Sequence, residues 1–320
     1  MIMNSSIMFM FCMMMGVIMA ISSNNWFSVW VGLEMSLMSF IPIMSNKNKL
    51  NSECCIKYFI VQSLSSSVMM MGVIMMSNEI NYKSILMLAM MVKLGVPPFH
   101  TWMIAIIEGL DYNSVFIILT MMKLAPFQIL MYMNSNYTMF IMTSLIVGSI
   151  SGLNQNSIKK MISYSSIFNM AFIMSCISNL TIWMYFFWLY SMSLMMLTTM
   201  MKNMNTNFIN QLMFNNYKSM TKMMMWLTLL TMGGFPPLLS FFGKLMAIKL
   251  MYKTSNLIIM SMMVILSLIV MFFYMRMIFI SVMLSNFMPK WMNISKPKFN
   301  FYVLSSSIMV PFMMFNLKSL

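Results

Sequence analysis

Apolar residues run along this chain in stretches long enough to cross a lipid bilayer, separated only by short polar segments, from one end to the other. A membrane-crossing helix needs about 20 predominantly apolar residues. The alternation of runs and breaks predicts eleven spans at roughly 3–21, 26–44, 55–76, 84–106, 112–131, 137–153, 161–178, 181–200, 222–248, 257–281 and 301–317. No stretch is left over for a water-soluble domain. Residues 1–320 are therefore expected to form a single integral membrane domain, all-α and polytopic, with its termini on opposite sides.

Two of these spans are interrupted. "LGVPPFHTWM" at 94–103 is echoed by "GGFPPLLSFF" at 233–242, with Pro97 and Pro98 answering Pro236 and Pro237. Paired prolines remove amide donors and clash with the preceding turn, so each span is expected to be a broken helix with unpaired carbonyls. Such backbone is tolerated at membrane depth only inside protein or beside a water-filled cavity. Five spans separate the starts of the two segments, so the second half is expected to run the opposite way. That is the pattern of an inverted repeat with two broken helices, as in secondary transporters.

Composition agrees with this pattern. The chain is 61% hydrophobic and 8% charged with a mean hydropathy of +0.83, too little polar surface for a soluble protein of this size. The N-terminus has no basic stretch before its first apolar run and is expected to stay as a first helix. The 56 methionines and the scarcity of Arg suggest a genome that reads AUA as methionine, an animal mitochondrial one. Runs such as Met69 to Met71 invite a Cu(I) reading, but they follow no ligand spacing and suit adaptable apolar packing. Cys12, Cys54, Cys55 and Cys176 are scattered without C-x-x-C or Cys/His spacing, so no metal site, iron-sulfur cluster or disulfide framework is expected.

Charge then sets orientation. On the face of the N-terminus the loops and span ends carry Lys47, Lys49, Lys159, Lys160, Lys202, Lys218, Lys222, Lys290, Lys296 and Lys298, against Lys83, Lys249, Lys253 and Lys318 on the other face. By the positive-inside rule the N-terminus is expected in the matrix and the C-terminus in the intermembrane space. This asymmetry accounts for the formal net charge of +14 without a nucleic-acid partner.

Four ionisable residues lie well inside spans: Glu34, Lys93, Lys123 and Lys244. Each costs about 2.5–3.5 kcal/mol at a helix centre, on the order of 10–14 kcal/mol together. Lys57, at a span's edge, is expected to snorkel to the headgroups, and a purely structural Glu34–Lys93 pair is the bland alternative. Lys93 sits just before the first break, where free carbonyls favour a cation. His100 lies just after it and suits either proton relay or satisfied packing.

"WVGLEMSLMSFIPIM", "KLGVPPFHTW", "KLAPFQIL", "SIKKMISYSSI" and "GGFPPLLSFFGK" follow one another in an order and spacing that resembles the chain 2 family of mitochondrial NADH:ubiquinone oxidoreductase, in an arthropod-like style. The resemblance implies an eleven-helix, antiporter-like core subunit in the membrane arm of respiratory complex I, in the mitochondrial inner membrane. It further implies one proton-translocating unit of an enzyme whose NADH, FMN, iron-sulfur clusters and ubiquinone are handled elsewhere, with no cofactor bound by this chain. Its partners would be other membrane-arm subunits, supernumerary subunits and lipids. Glu34 would pair with Lys93, Lys123 would be the central relay lysine and Lys244 would lie toward the exit, with His100 and waters between. One departure stands out: "SSIFNMAF" carries Asn169 where relatives have a histidine, and asparagine does not titrate near neutral pH. The alternatives are a stand-alone cation/proton antiporter and a passive membrane-arm scaffold. The polar loop 201–221 suggests no role beyond a connection or a docking surface.

Overall fold

The computed structural model describes residues 2–45, 49–76, 82–133, 136–214, 219–236 and 238–283. They form fourteen helical segments: α1 (Ile2–Ser22), α2 (Trp26–Met44), α3 (Lys49–Met75), α4 (Tyr82–Leu94), α5 (Thr101–Gly109), α6 (Tyr112–Leu119), α7 (Met121–Met133), α8 (Thr138–Leu153), α9 (Ile158–Ser175), α10 (Leu180–Met204), α11 (Gln211–Phe214), α12 (Ser219–Gly233), α13 (Leu239–Lys253) and α14 (Leu257–Met283). The first ten predicted spans each fall on one helix or on a pair of half-helices. The eleventh, 301–317, lies outside the described residues, as does Pro237. Among the described residues five helices, with α6 and α7 counted as one, are long and apolar enough to cross a membrane. The chain divides into two compact units, Met1–Thr143 and Ser144–Leu320.

In the first unit, small residues bring α1 and α2 into backbone contact. A Cβ on Gly16 would lie 2.7 Å from the Ser36 nitrogen, and one on Gly32 would lie 2.7 Å from the Ala20 nitrogen. The pairs Gly16/Ala20 and Gly32/Ser36 are each four apart, the small-xxx-small spacing that lets membrane helices meet. This contact fixes the rotation of α2, and with it the direction of Glu34.

Helix α3 inverts the arrangement of a soluble helix. Its buried face carries Asn51, Tyr58, Gln62, Ser65 and Ser66 among others, at the three- and four-residue steps of one helix stripe. The opposite face exposes Ile56, Phe59, Ile60, Leu64, Val68 and Met71. Lipid is as apolar as these side chains, so the polar groups are the ones that gain by turning inward. Lys57 stands on the outer face, 4.0 Å from Glu53 one turn earlier.

In the second unit α9 is the core helix, buried continuously from Ser165 to Ser175. Gly148 of α8 makes room for it, since a Cβ there would lie 2.7 Å from the Phe168 nitrogen. The Tyr274 hydroxyl donates to Ser165 Oγ at 2.7 Å. The only arginine has a defined place: Arg276 donates to the Leu153 carbonyl at 2.7 Å and the Gln155 carbonyl at 2.9 Å, closing the C-terminal end of α8. Its planar fork suits two carbonyls at once.

The described part of loop 201–221 is more than a connection. Ile158 N–H donates to the Asn207 carbonyl (2.9 Å) and Ile209 N–H to the Asn156 carbonyl (3.0 Å), an antiparallel bridge centred on Ser157 and Phe208. Gln211 Oε1 accepts from the Asn207 and Phe208 amides, and Thr206, Ile209 and Leu212 are buried. The segment clamps the start of α9.

Candidate functional site

Helix α4 ends because Gly95 takes a left-handed conformation, φ 68°, which an L side chain adopts only at a cost. The Val96 amide donates back to the Met91 carbonyl and the Gly95 amide to the Val92 carbonyl, both at 3.1 Å, the two-bond pattern of a Schellman turn. Pro97 and Pro98 follow, Phe99 N–H donates to the Val96 carbonyl at 2.8 Å, and α5 starts at Thr101. Carbonyls freed by the break find side chains: Trp102 Nε1 donates to Val92 (3.2 Å), Gln62 Nε2 to Lys93 (3.4 Å) and Thr143 Oγ1 to Pro97 (3.3 Å).

The second break repeats this turn. Gly234 has φ 81°, Phe235 N–H donates to the Leu230 carbonyl (3.2 Å), Gly234 N–H to the Thr231 carbonyl (3.3 Å) and Leu238 N–H to the Phe235 carbonyl (2.8 Å). Thr231 holds the place of Val92, and its carbonyl accepts from Ser240 Oγ of the following half-helix. The last carbonyl of α12, Gly233, accepts from Lys244 Nζ at 3.0 Å. That ammonium also lies 5.7 Å from the centroid of the Phe168 ring.

A third interruption divides the predicted span 112–131. Thr120 has φ −121° and ψ −79°, outside the helical range, and its Oγ1 donates to the Phe116 carbonyl at 2.7 Å. α7 resumes with Lys123 N–H donating to the Thr120 carbonyl (3.0 Å), and Pro126 removes the amide that would otherwise serve the Met122 carbonyl. Lys123 is 3% exposed and its ammonium has no hydrogen-bond partner among the described residues. It faces a cavity of about 20 Å³, counted over positions a water centre can take, whose walls include Ser36, Tyr58, Gln62, Lys93 and Trp102. That volume holds about one water.

Of the predicted residues, then, Lys93 and Lys123 share one cavity. Glu34 is half-buried on α2 and forms no direct ion pair with Lys93 among the described residues. His100 is half-buried at the start of α5, with Nδ1 3.3 Å from the Pro98 carbonyl, and does not line the cavity. Pro97 is buried, while Pro98 and Pro236 are exposed. Lys244 is buried in the second unit beside its own helix break. Asn169 is buried in α9 at 4% exposure. Sequence reasoning missed Ser36, Tyr58, Gln62, Trp102 and Thr120; the polar positions of α3 at three- and four-residue spacing were the available signal. Among the described residues no three His, Cys, Asp or Glu side chains are grouped to hold a metal.

The family model described as NADH:quinone oxidoreductase/Mrp antiporter, transmembrane, matches residues 23–85 and 77–270. NADH-ubiquinone oxidoreductase chain 2 of Anopheles gambiae is 33% identical over 324 aligned positions, covering 96% of this chain and 94% of that one. The chain belongs to the NADH-ubiquinone oxidoreductase chain 2 family. The Locusta migratoria member of the family is 31% identical, with 89% of this chain and 88% of that one covered. A chain in a structure titled respiratory complex I from Thermus thermophilus with bound aureothin superposes with a TM-score of 0.78 over 94% of this chain and 75% of its own, at 15% identity. At that identity the likeness is one of fold, and it gives the chain 2 family member an all-helical, antiporter-like membrane fold.

Proposed function

We infer that the chain is a core membrane-arm subunit of mitochondrial NADH:ubiquinone oxidoreductase, acting as one antiporter-like unit of proton translocation. The observation that carries the mechanism is the shared cavity: two buried lysine side chains, Lys93 and Lys123, open onto one space beside a broken helix. Lysine suits such a role because its proton affinity responds strongly to surroundings, whereas arginine stays charged. Movement of the Glu34 carboxylate toward or away from Lys93 changes how firmly Lys93 holds its proton. The proton then passes to Lys123 and onward through Lys244, with His100 and water as auxiliaries.

Around this relay we place one integral membrane domain of eleven crossings, N-terminus in the matrix and C-terminus in the intermembrane space. Its halves form an inverted repeat, a reading supported by the two breaks sharing one turn geometry residue for residue. Its partners are the other membrane-arm subunits, supernumerary subunits and membrane lipids, and the redox cofactors belong to other subunits. A scaffold reading finds one specific support, the Lys244 bond to the Gly233 carbonyl, which gives that lysine a structural task. The test is Lys123→Met in the assembled complex. Assembly with loss of proton translocation is the expected result, and normal pumping refutes the relay. Ion transport by the purified chain alone would instead favour a stand-alone antiporter.

A further inference from the structure

Lysine ammonium groups carry three donors and no acceptor. Lys93 and Lys123 can therefore share a cavity without either being able to receive a hydrogen bond from the other while both are protonated. A proton path between them needs acceptors on the cavity wall. Leu33, Leu37, Ile118 and Pro126 offer no side-chain acceptor, and the Trp102 indole is a donor already committed to the Val92 carbonyl. Strong side-chain acceptors come from Tyr58, Gln62 and Ser36.

Tyr58 and Gln62 are four residues apart on α3 and so lie one above the other on the same face. Gln62 has its amide nitrogen donating to the Lys93 carbonyl, 3.4 Å away, which ties the side chain to the break and leaves Oε1 as a free acceptor. Tyr58 is held by its ring, against Phe40 at 5.4 Å between centroids and Trp102 at 6.2 Å. Its hydroxyl can both accept and donate.

We propose that Tyr58 and Gln62 are positioning residues for proton transfer, holding one water between the Lys93 and Lys123 side chains. In the step, the Lys93 ammonium gives a proton to that water and becomes an amine. The water passes a proton to the Lys123 amine, which becomes the ammonium. Gln62 Oε1 accepts one of the water's hydrogens and the Tyr58 hydroxyl donates to its oxygen, which leaves its second hydrogen directed at Lys123; neither residue is consumed. This rests on the relay reading of the two lysines.

The test uses the intact complex in sealed inner-membrane vesicles carrying Tyr58→Phe, Gln62→Met or Lys123→Met, with NADH oxidation, proton translocation and the ratio of rates in H₂O and D₂O measured together. Tyr58→Phe keeps the ring packing and Gln62→Met the side-chain volume. Both are expected to assemble with coupled proton translocation slowed about tenfold, less than the roughly 100-fold or more lost with a group that itself transfers the proton, and with a larger D₂O effect. A merely structural role would alter heat stability and leave the isotope ratio unchanged. If both variants pump normally while Lys123→Met does not, this inference falls and the relay stands; if Lys123→Met pumps normally, both fall. Should Gln62→Met fail to assemble, Tyr58→Phe decides alone.

Discussion

The two helix breaks share a backbone and differ in where they put the lysine. At the first, Lys93 precedes the left-handed glycine and its ammonium makes no hydrogen bond among the described residues, while neighbouring helices cap the carbonyls around it. At the second, Lys244 follows the glycine and turns back to cap the break itself. A charge already used to satisfy a carbonyl is held by that bond. A charge whose carbonyls are satisfied by Gln62 and Trp102 is left facing a cavity. The same turn therefore presents one lysine whose ammonium is unbonded among the described residues and one whose ammonium is bonded to the backbone.

Lys93→Met should separate the two most sharply. It removes a buried charge that makes no hydrogen bond, so assembly and thermal stability are expected to stay level or rise while proton translocation is lost; a pumping variant would place Lys93 with the structural lysines. Next in size is the glycine pair. Gly95→Ala costs about 1–2 kcal/mol for its left-handed backbone, its Cβ meeting nothing closer than the Met103 sulfur at 3.3 Å. Gly234→Ala carries the same strain and puts a Cβ 2.6 Å from Lys244 Nζ. Displacing a charged hydrogen bond adds roughly 1.5–3 kcal/mol. Thermal inactivation of the detergent-solubilised complex should rank Gly234→Ala well below Gly95→Ala, and equal losses would mean that Lys244 is not seated on Gly233.

Lys244→Met gives up that bond and its contact with the Phe168 ring, partly offset by relief of the buried charge, for a net loss of about 1–2 kcal/mol. A melting temperature unchanged by this substitution would argue that the two lysines are equivalent. The smallest effects are expected from the caps of the equivalent carbonyls. Trp102→Phe and Ser240→Ala each remove one neutral donor, for about 1 kcal/mol apiece, and a large inequality in melting temperature would show that the two breaks are not energetically alike.

Much of this is legible in the sequence. Apolar run lengths located ten helices or helix pairs to within about six residues at either end, and Pro97, Pro98 and Pro236 marked both interruptions. The break at Thr120 was not legible, because threonine is tolerated in apolar spans and carries no signal as strong as a proline pair. Tyr58 and Gln62 were passed over because an uncharged polar residue inside a span is too cheap to demand explanation, unlike Lys93 or Lys123.

The sequence by itself determined that the chain crosses a membrane, where the two proline-marked helices break and that Lys93, Lys123 and Lys244 are buried, since these follow from transfer energies and missing amide donors that act within a single segment. Only the tertiary structure decided which lysine is bound to a carbonyl and which faces a cavity. That outcome depends on Gly16 and Gly32 letting two helices touch, on α3 turning its polar stripe inward and on Lys244 reaching back along its own break. Each is a relation between side chains distant in sequence, and no local pattern encodes the distance between them.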